Sequence, residues 1–474
     1  MIGDTEYFES KDFQEILNKY EESVKSGQSI FIDADDLTDI ADYYHMEGRL
    51  DEAGDAINLA LQLTPDAVAP LLYKAREAME NNDMETAESY AELVKLKDPV
   101  EYVYLKGELM LSKDRADEAD AFYKERYDEI DSSEQTDYAF DVASIFADYY
   151  YYDKSMAWMS LIRGDDSDDF KELSARTLYG LGKYKDSERL FNELIDHNPY
   201  SKRYWNALAN AQFMSEDYSA SVDSSEYAIA IDPDDPESIL SKAVGLYRLE
   251  NFEEALEYFK RYNALVEDDE FGYLHQATCL VGLNRNDEAI SSLEHAEELA
   301  GEDSPYLPDI YQELAFVYSE KKMLEKALHY IDLTKTLDCD HAEIEVIRGH
   351  VLLANGHVEE AEETFRDAVL KAEDKEKIML RMLVSLYDNG YVSAAYFMFK
   401  KYFEMVGPES NVGYAYIALC CWDLHKANEF VKYLETAVER NPREAKTVLC
   451  HLFPEGMQPA DYVEYARNRI NKAS

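Results

Sequence analysis

Carboxylates dominate the reactive side chains of this sequence: 474 residues hold 99 Asp and Glu against 47 Lys and Arg, with 10 His and 5 Cys. Carboxylates do acid–base work as placed pairs whose environments separate their pKa values. At this density, closeness in sequence singles out no pair. The densest acidic stretches are GDDSDD at 164–169 and DPDDPE at 232–237. A Ca2+ loop needs ligands at fixed offsets and a bidentate Glu. Neither stretch has that spacing, so both read as helix N-caps and acidic first turns favoured by the helix dipole. The histidines are scattered, with no i,i+4 pair, and no H-E-x-x-H, G-x-S-x-G, P-loop or G-x-G-x-x-G occurs. Gly180-Leu181-Gly182 reads as a turn. Cys279, Cys339, Cys420, Cys421 and Cys450 are odd in number and form no C-x-x-C, which reads as free thiols in a reducing compartment. No catalytic residue, cofactor or metal site is expected, and the chain is not expected to be an enzyme.

The elements that carry these side chains repeat. In Lys202 to Asp235, Trp205, Leu208 and Ala209 fall at positions 4, 7 and 8 of a 34-residue frame; Ser221, Ala228 and Pro233 fall at 20, 27 and 32. The same frame restarts at Ala34, Val68, Val100, Thr136, Asp168, Lys202, Pro236, Glu270, Pro308, Ala342, Glu376 and Asn411. Position 8 is Ala or Gly in eleven of these twelve, and position 20 is Ala or Ser in eleven of twelve, so the period is not chance. Small residues at two fixed positions let two helix backbones cross closely. Apolar residues at 4, 7, 11, 24 and 27 fill the space around that crossing.

This pattern resembles the tetratricopeptide (TPR) repeat family over nearly the whole chain. The resemblance implies an all-α, right-handed α-α superhelix of about twelve helix pairs with helical caps, because one hairpin cannot cover its own apolar face. The expected organisation is a capping helix in 1–33, repeats one to eight in 34–303, repeats nine to twelve in 304–444 and capping helices in 445–474. The longest step, 38 residues, runs through GEDSPYLP at 301–308. A short helix is expected at 445–453 and a last one at 461–471.

Function in this family, as the resemblance implies, lies in the concave groove lined by the first helix of each pair at positions 2, 5, 9 and 12. In repeats five to eight, the strip Arg176, Tyr179, Arg203, Asn206, Asn210, Phe213, Tyr247, Phe271 and His275 is expected to line it. The two arginines either meet a ligand there or pair with nearby carboxylates. The family's carboxylate clamp is incomplete: Asn206 and Asn210 are present without the Lys, and Phe271 and His275 stand where basic groups belong. Tyr149, Tyr150, Tyr151 and Tyr152 form a run that reads either as a packed turn or as a ligand shelf.

A net charge of −52 repels phosphates, which argues against nucleic acid and anionic membranes and favours a basic or neutral protein or peptide partner. Much of it also reads as a solvated outer face. No secretory signal or membrane-length apolar run is visible, and a cytoplasmic protein is expected. The favoured function is a non-catalytic interaction scaffold. A self-assembling homodimer and a receptor for a small ligand or signalling peptide are the alternatives.

Overall fold

Helices begin where the frame places them. In the computed structural model, which describes residues 5–8, 10–26, 31–95, 99–407, 410–454 and 456–473, every regular element is helical. The first helix of a pair starts at the expected residue in seven pairs: Ala34, Val68, Val100, Asp168, Lys202, Pro236 and Glu270. In four pairs it starts one residue early, at Gln135, Leu307, His341 and Lys375. In the twelfth it starts three residues late, at Tyr414. There Gly413 is left-handed (φ 85°), and the Glu444 carboxylate accepts the backbone N–H groups of Gly413 at 2.9 Å and Ala415 at 3.2 Å. This carboxylate caps the helix from outside it.

One backbone position reverses the chain in all twelve pairs. Position 15 is left-handed throughout, at residues 48, 82, 114, 150, 182, 216, 250, 284, 322, 356, 390 and 425, with φ between 56° and 82°. The N–H of position 16 then reaches back to the carbonyl of position 11, as in Asp83 to Ala78 at 2.8 Å and Asn251 to Leu246 at 3.0 Å. This is the closing bond of a Schellman turn, which satisfies carbonyls that a helix end leaves free. Four of the twelve residues are glycine.

Size is matched across each crossing. The residues at positions 8 and 20 are buried, Ala41 with Ala53 and Ala243 with Ala255 among them. Position 24 fills the remaining space with Ile57, Phe191, Phe259, Ile331 and Phe399, all buried. Where position 8 is glycine, position 24 is aromatic: a Cβ on Gly107 would meet the Tyr123 ring, and one on Gly349 the Phe365 ring. Each fully buried large apolar side chain stabilises by about 1.5–3 kcal/mol.

The chain divides into two compact units, Met1–Asp217 and Tyr218–Ser474. In the first, the helix Lys11–Ser26 packs Phe13, Leu17 and Tyr20 with Leu37, Ile40 and Ile57. In the second, the helix Pro442–Leu449, a 3-10 turn at Cys450–Leu452 and the helix Pro459–Ala473 close over Leu434 with Leu449, Tyr462 and Ala466. The short helix thus begins earlier than 445, because the Asn441 side chain accepts the Glu444 N–H at 3.1 Å and starts it there. The acidic stretches act as caps: Ser167 accepts from Phe170 N–H at 3.2 Å, and Asp235 from Ser238 N–H at 3.0 Å.

Candidate functional site

A cavity of about 760 Å3 lies in the second unit along the first helices of pairs nine to eleven. Positions 5 and 9 of each pair line it: Gln312 and Phe316, Val346 and His350, Leu380 and Val384. The twelfth pair adds Tyr416, and the helix Pro442–Leu449 adds Arg443, Glu444, Thr447 and Val448. The walls are aliphatic and aromatic, with polar groups spaced along them. His350 Nδ1 lies 3.1 Å from Asn389 Nδ2 and 3.0 Å from Ser385 Oγ. An amide nitrogen only donates, so Nδ1 accepts and the ring's proton sits on Nε2. Burial lowers the His350 pKa and keeps it neutral at pH 7. The Phe316 ring meets it edge-on at 5.5 Å. Arg381 pairs with Glu343 at 2.8 Å. Asp388, its carboxyl raised by burial, has no ion-pair or hydrogen-bond partner among the described residues. A surface of this kind suits an extended segment with apolar side chains and a polar backbone.

A second cavity, about 380 Å3, lies in the first unit. It brings together Arg176, Tyr179 and Asn210 from the expected strip, and adds Asp148, Tyr150, Tyr152 and Phe191. Arg176 pairs with Asp148 at 2.6 Å. Of the other expected residues in this unit, Arg203 is paired with Glu172, Asn206 is buried and Phe213 is half-buried. Both arginines therefore carry carboxylate partners.

In the second unit, Tyr247, Phe271 and His275 pack on one another. The Phe271 and His275 rings lie 4.0 Å apart, and Tyr247 meets His275 edge-on at 6.0 Å. His275 Nδ1 donates to the Phe271 carbonyl at 3.0 Å, and burial lowers its pKa. The tyrosine run divides between its two readings. Tyr149 is half-buried, with its hydroxyl pushed up to about 12 by burial, and Tyr151 donates to Asp114 at 2.5 Å. Tyr150 and Tyr152 line the cavity.

The aliphatic groove of pairs nine to twelve was not singled out in the sequence, because Val346, Leu380 and Val384 look there like core residues. Positions 5 and 9 taken alone, without regard to residue chemistry, would have found it. Among the described residues, no group of three or more His, Cys, Asp or Glu side chains is placed to hold a metal ion. No helix among them is long and apolar enough to cross a membrane. The thiols are free, and burial pushes Cys279, Cys420 and Cys421 up to about 12.

The family described as "Anaphase-promoting complex, cyclosome, subunit 3" matches residues 204–296. No curated protein matches the sequence. Among solved structures, yeast Tom70 is similar at 15% identity over 92% of this chain and 96% of its own, with a TM-score of 0.42. MamA from Desulfovibrio magneticus RS-1 is similar at 16% identity over 37% of this chain and 96% of its own, with a TM-score of 0.35. YrrB, described as a TPR protein with an unusual peptide-binding site, is similar at 19% identity over 41% and 95%, with a TM-score of 0.34. Twelve helix pairs in one frame, small residues at the crossings and a left-handed residue at every position 15 make this chain a tetratricopeptide repeat protein in fold.

Proposed function

We infer that the chain is a non-catalytic interaction scaffold that holds an extended peptide segment of a partner in the groove of pairs nine to twelve. The carrying observation is the cavity of about 760 Å3, lined at positions 5 and 9 of three consecutive pairs and ended by the helix Pro442–Leu449. Its apolar walls give contact area. The Nε2–H assigned to His350, with Gln312 and Thr447, supplies hydrogen-bonding groups for a peptide backbone. The net charge of −52 favours a basic or neutral partner over nucleic acid. The absence of catalytic motifs in the sequence supports a non-enzymatic role, and the free thiols suit the cytoplasm. Of the strip expected from sequence, Arg176, Tyr179 and Asn210 enter this reading as walls of a second contact site, while Tyr247, Phe271 and His275 brace one another.

A displayed library of random peptides panned on the full chain tests the groove. Val384→Glu places a charge among its apolar walls. A class of the peptides recovered by the wild type, rich in apolar residues, should be lost on this variant at unchanged melting temperature. Recovery of every wild-type peptide by Val384→Glu would move the binding face elsewhere.

A further inference from the structure

We propose that the cavity walled by Tyr150, Tyr152 and Tyr179 in the first unit receives one cationic side chain, arginine or lysine, from a partner peptide. It is separate from the groove of pairs nine to twelve and does not depend on it.

The first observation is a residue held against its backbone preference. Position 15 is left-handed in every pair, and elsewhere it carries Gly, Asn, Asp, Glu, Lys or His. Only the fourth pair places a bulky aromatic there, Tyr150 at φ 65°. A bulky side chain is disfavoured in that region. Tyr150 is also 78% exposed, so burial does not offset the cost. Its ring instead faces Tyr152 edge-on at 6.2 Å.

The second observation is how the neighbouring rings are placed. Gly180 ends the helix Asp168–Gly180, and a Cβ there would overlap the Tyr152 ring. Lacking one, the helix end lets that ring lie across it. Tyr179 is the third wall, braced edge-on by Tyr184 at 5.5 Å. Ring faces carry the negative lobe of the aromatic quadrupole and attract cations within about 6 Å.

The third observation is a carboxylate oxygen left open toward the cavity. Arg176 bonds Asp148 through Oδ1, and Oδ2 takes no hydrogen bond among the described residues. In a chain of net charge −52 an acidic side chain entering here is repelled, and an apolar one gains nothing from the exposed second oxygen of Asp148. A guanidinium or ammonium group meets the rings and that oxygen together, and a cavity of about 380 Å3 accommodates its stem.

The test is a displayed hexapeptide library panned in parallel on the full wild-type chain, Tyr150→Gly, Asp148→Asn and Val384→Glu. Glycine suits the left-handed position, so Tyr150→Gly should melt no lower than the wild type, and loss of peptides there is not unfolding. One class of peptides should depend on Tyr150 and Asp148, weaken by about tenfold or more on either variant, and carry Arg or Lys at a shared position. That class should survive Val384→Glu. The proposal is overturned if Tyr150-dependent peptides share an acidic or apolar residue instead, or if no peptide depends on Tyr150. Neither result bears on peptides blocked by Val384→Glu, so the two sites fail or stand separately.

Discussion

Gly107→Ala and Gly54→Ala are the same substitution in two helices of one unit, and the structure assigns them opposite signs. Gly107 is position 8 of the third pair, and a Cβ built on it would lie 2.0 Å from Tyr123 Cζ. That ring is fully buried, donates its hydroxyl to the Tyr104 carbonyl at 3.0 Å and is braced edge-on by Phe146 at 5.8 Å. It has nowhere to step. Alanine gains about 1 kcal/mol of helix propensity over glycine. Overpacking costs about 1–3 kcal/mol, and displacing a buried hydroxyl from its acceptor costs about 1–3 kcal/mol more. The balance is a loss of about 1–5 kcal/mol. Gly54, in the helix Leu50–Leu63, would meet nothing within 4 Å, so only the propensity gain remains. Urea and thermal unfolding followed by circular dichroism should place Gly107→Ala below the wild type and Gly54→Ala above it. The double variant Gly107→Ala with Tyr123→Leu should recover part of the loss, since the two sites touch. Two variants that both stabilise would mean that the crossing at Gly107 is looser than the structure has it.

Phe259 is fully buried at position 24 of the seventh pair, and Phe259→Ala should cost about 3–5 kcal/mol by denaturant unfolding; a loss under 1 kcal/mol would put the ring outside the core. Glu250 and Lys322 are left-handed at position 15, so Glu250→Gly and Lys322→Gly should each gain about 1 kcal/mol, and a loss at both would contradict the turn geometry. Burial raises the Glu108 carboxyl. A raised acid favours the fold below the ordinary carboxylate pKa, and that contribution is lost as pH rises through the folded value. Glu108→Gln should therefore raise the melting temperature near pH 7 and leave it nearly unchanged near pH 4; an equal rise at both would exclude the carboxylate as the cause.

The frame was legible because packing at a helix crossing admits few residue types. Ala209 and Ser221 announce their positions, and the helix starts follow to within a residue in eleven pairs. The turn was legible at Gly180-Leu181-Gly182, but the left-handed angle shared by every position 15 was not. Its requirement is a backbone angle, which Asn284, Lys322 and His425 meet as well as the four glycines, so no single residue type marks it. The groove was hidden for a related reason: a cavity wall that includes Val346 and Val384 has the composition of a core. Arg176 stood out by its charge in an acidic chain, yet its partner Asp148 lies 28 residues earlier, on the preceding pair, where sequence spacing alone gives no pairing.

The charge itself is unevenly distributed, and this separates the two proposed sites experimentally. Residues 392–474 hold ten Lys and Arg and ten Asp and Glu, so the whole of the −52 resides in residues 1–391. The tyrosine-walled cavity is built entirely from the acidic part, while the end of the groove at 441–448 belongs to the neutral part. Fields from exposed charges reach about 8–10 Å at physiological salt and much further at low salt. A basic peptide approaching the tyrosine cavity is therefore drawn by many carboxylates, and its association rate should fall steeply between about 0.05 and about 0.5 M salt. A peptide held in the groove through apolar walls should show a shallower fall, with salt acting little on its dissociation. Association rates measured for peptides blocked by Tyr150→Gly and for peptides blocked by Val384→Glu supply the comparison. Equal salt slopes for the two classes would mean that the chain's total charge steers both, and that the neutrality of residues 392–474 has no bearing on which partner the groove admits.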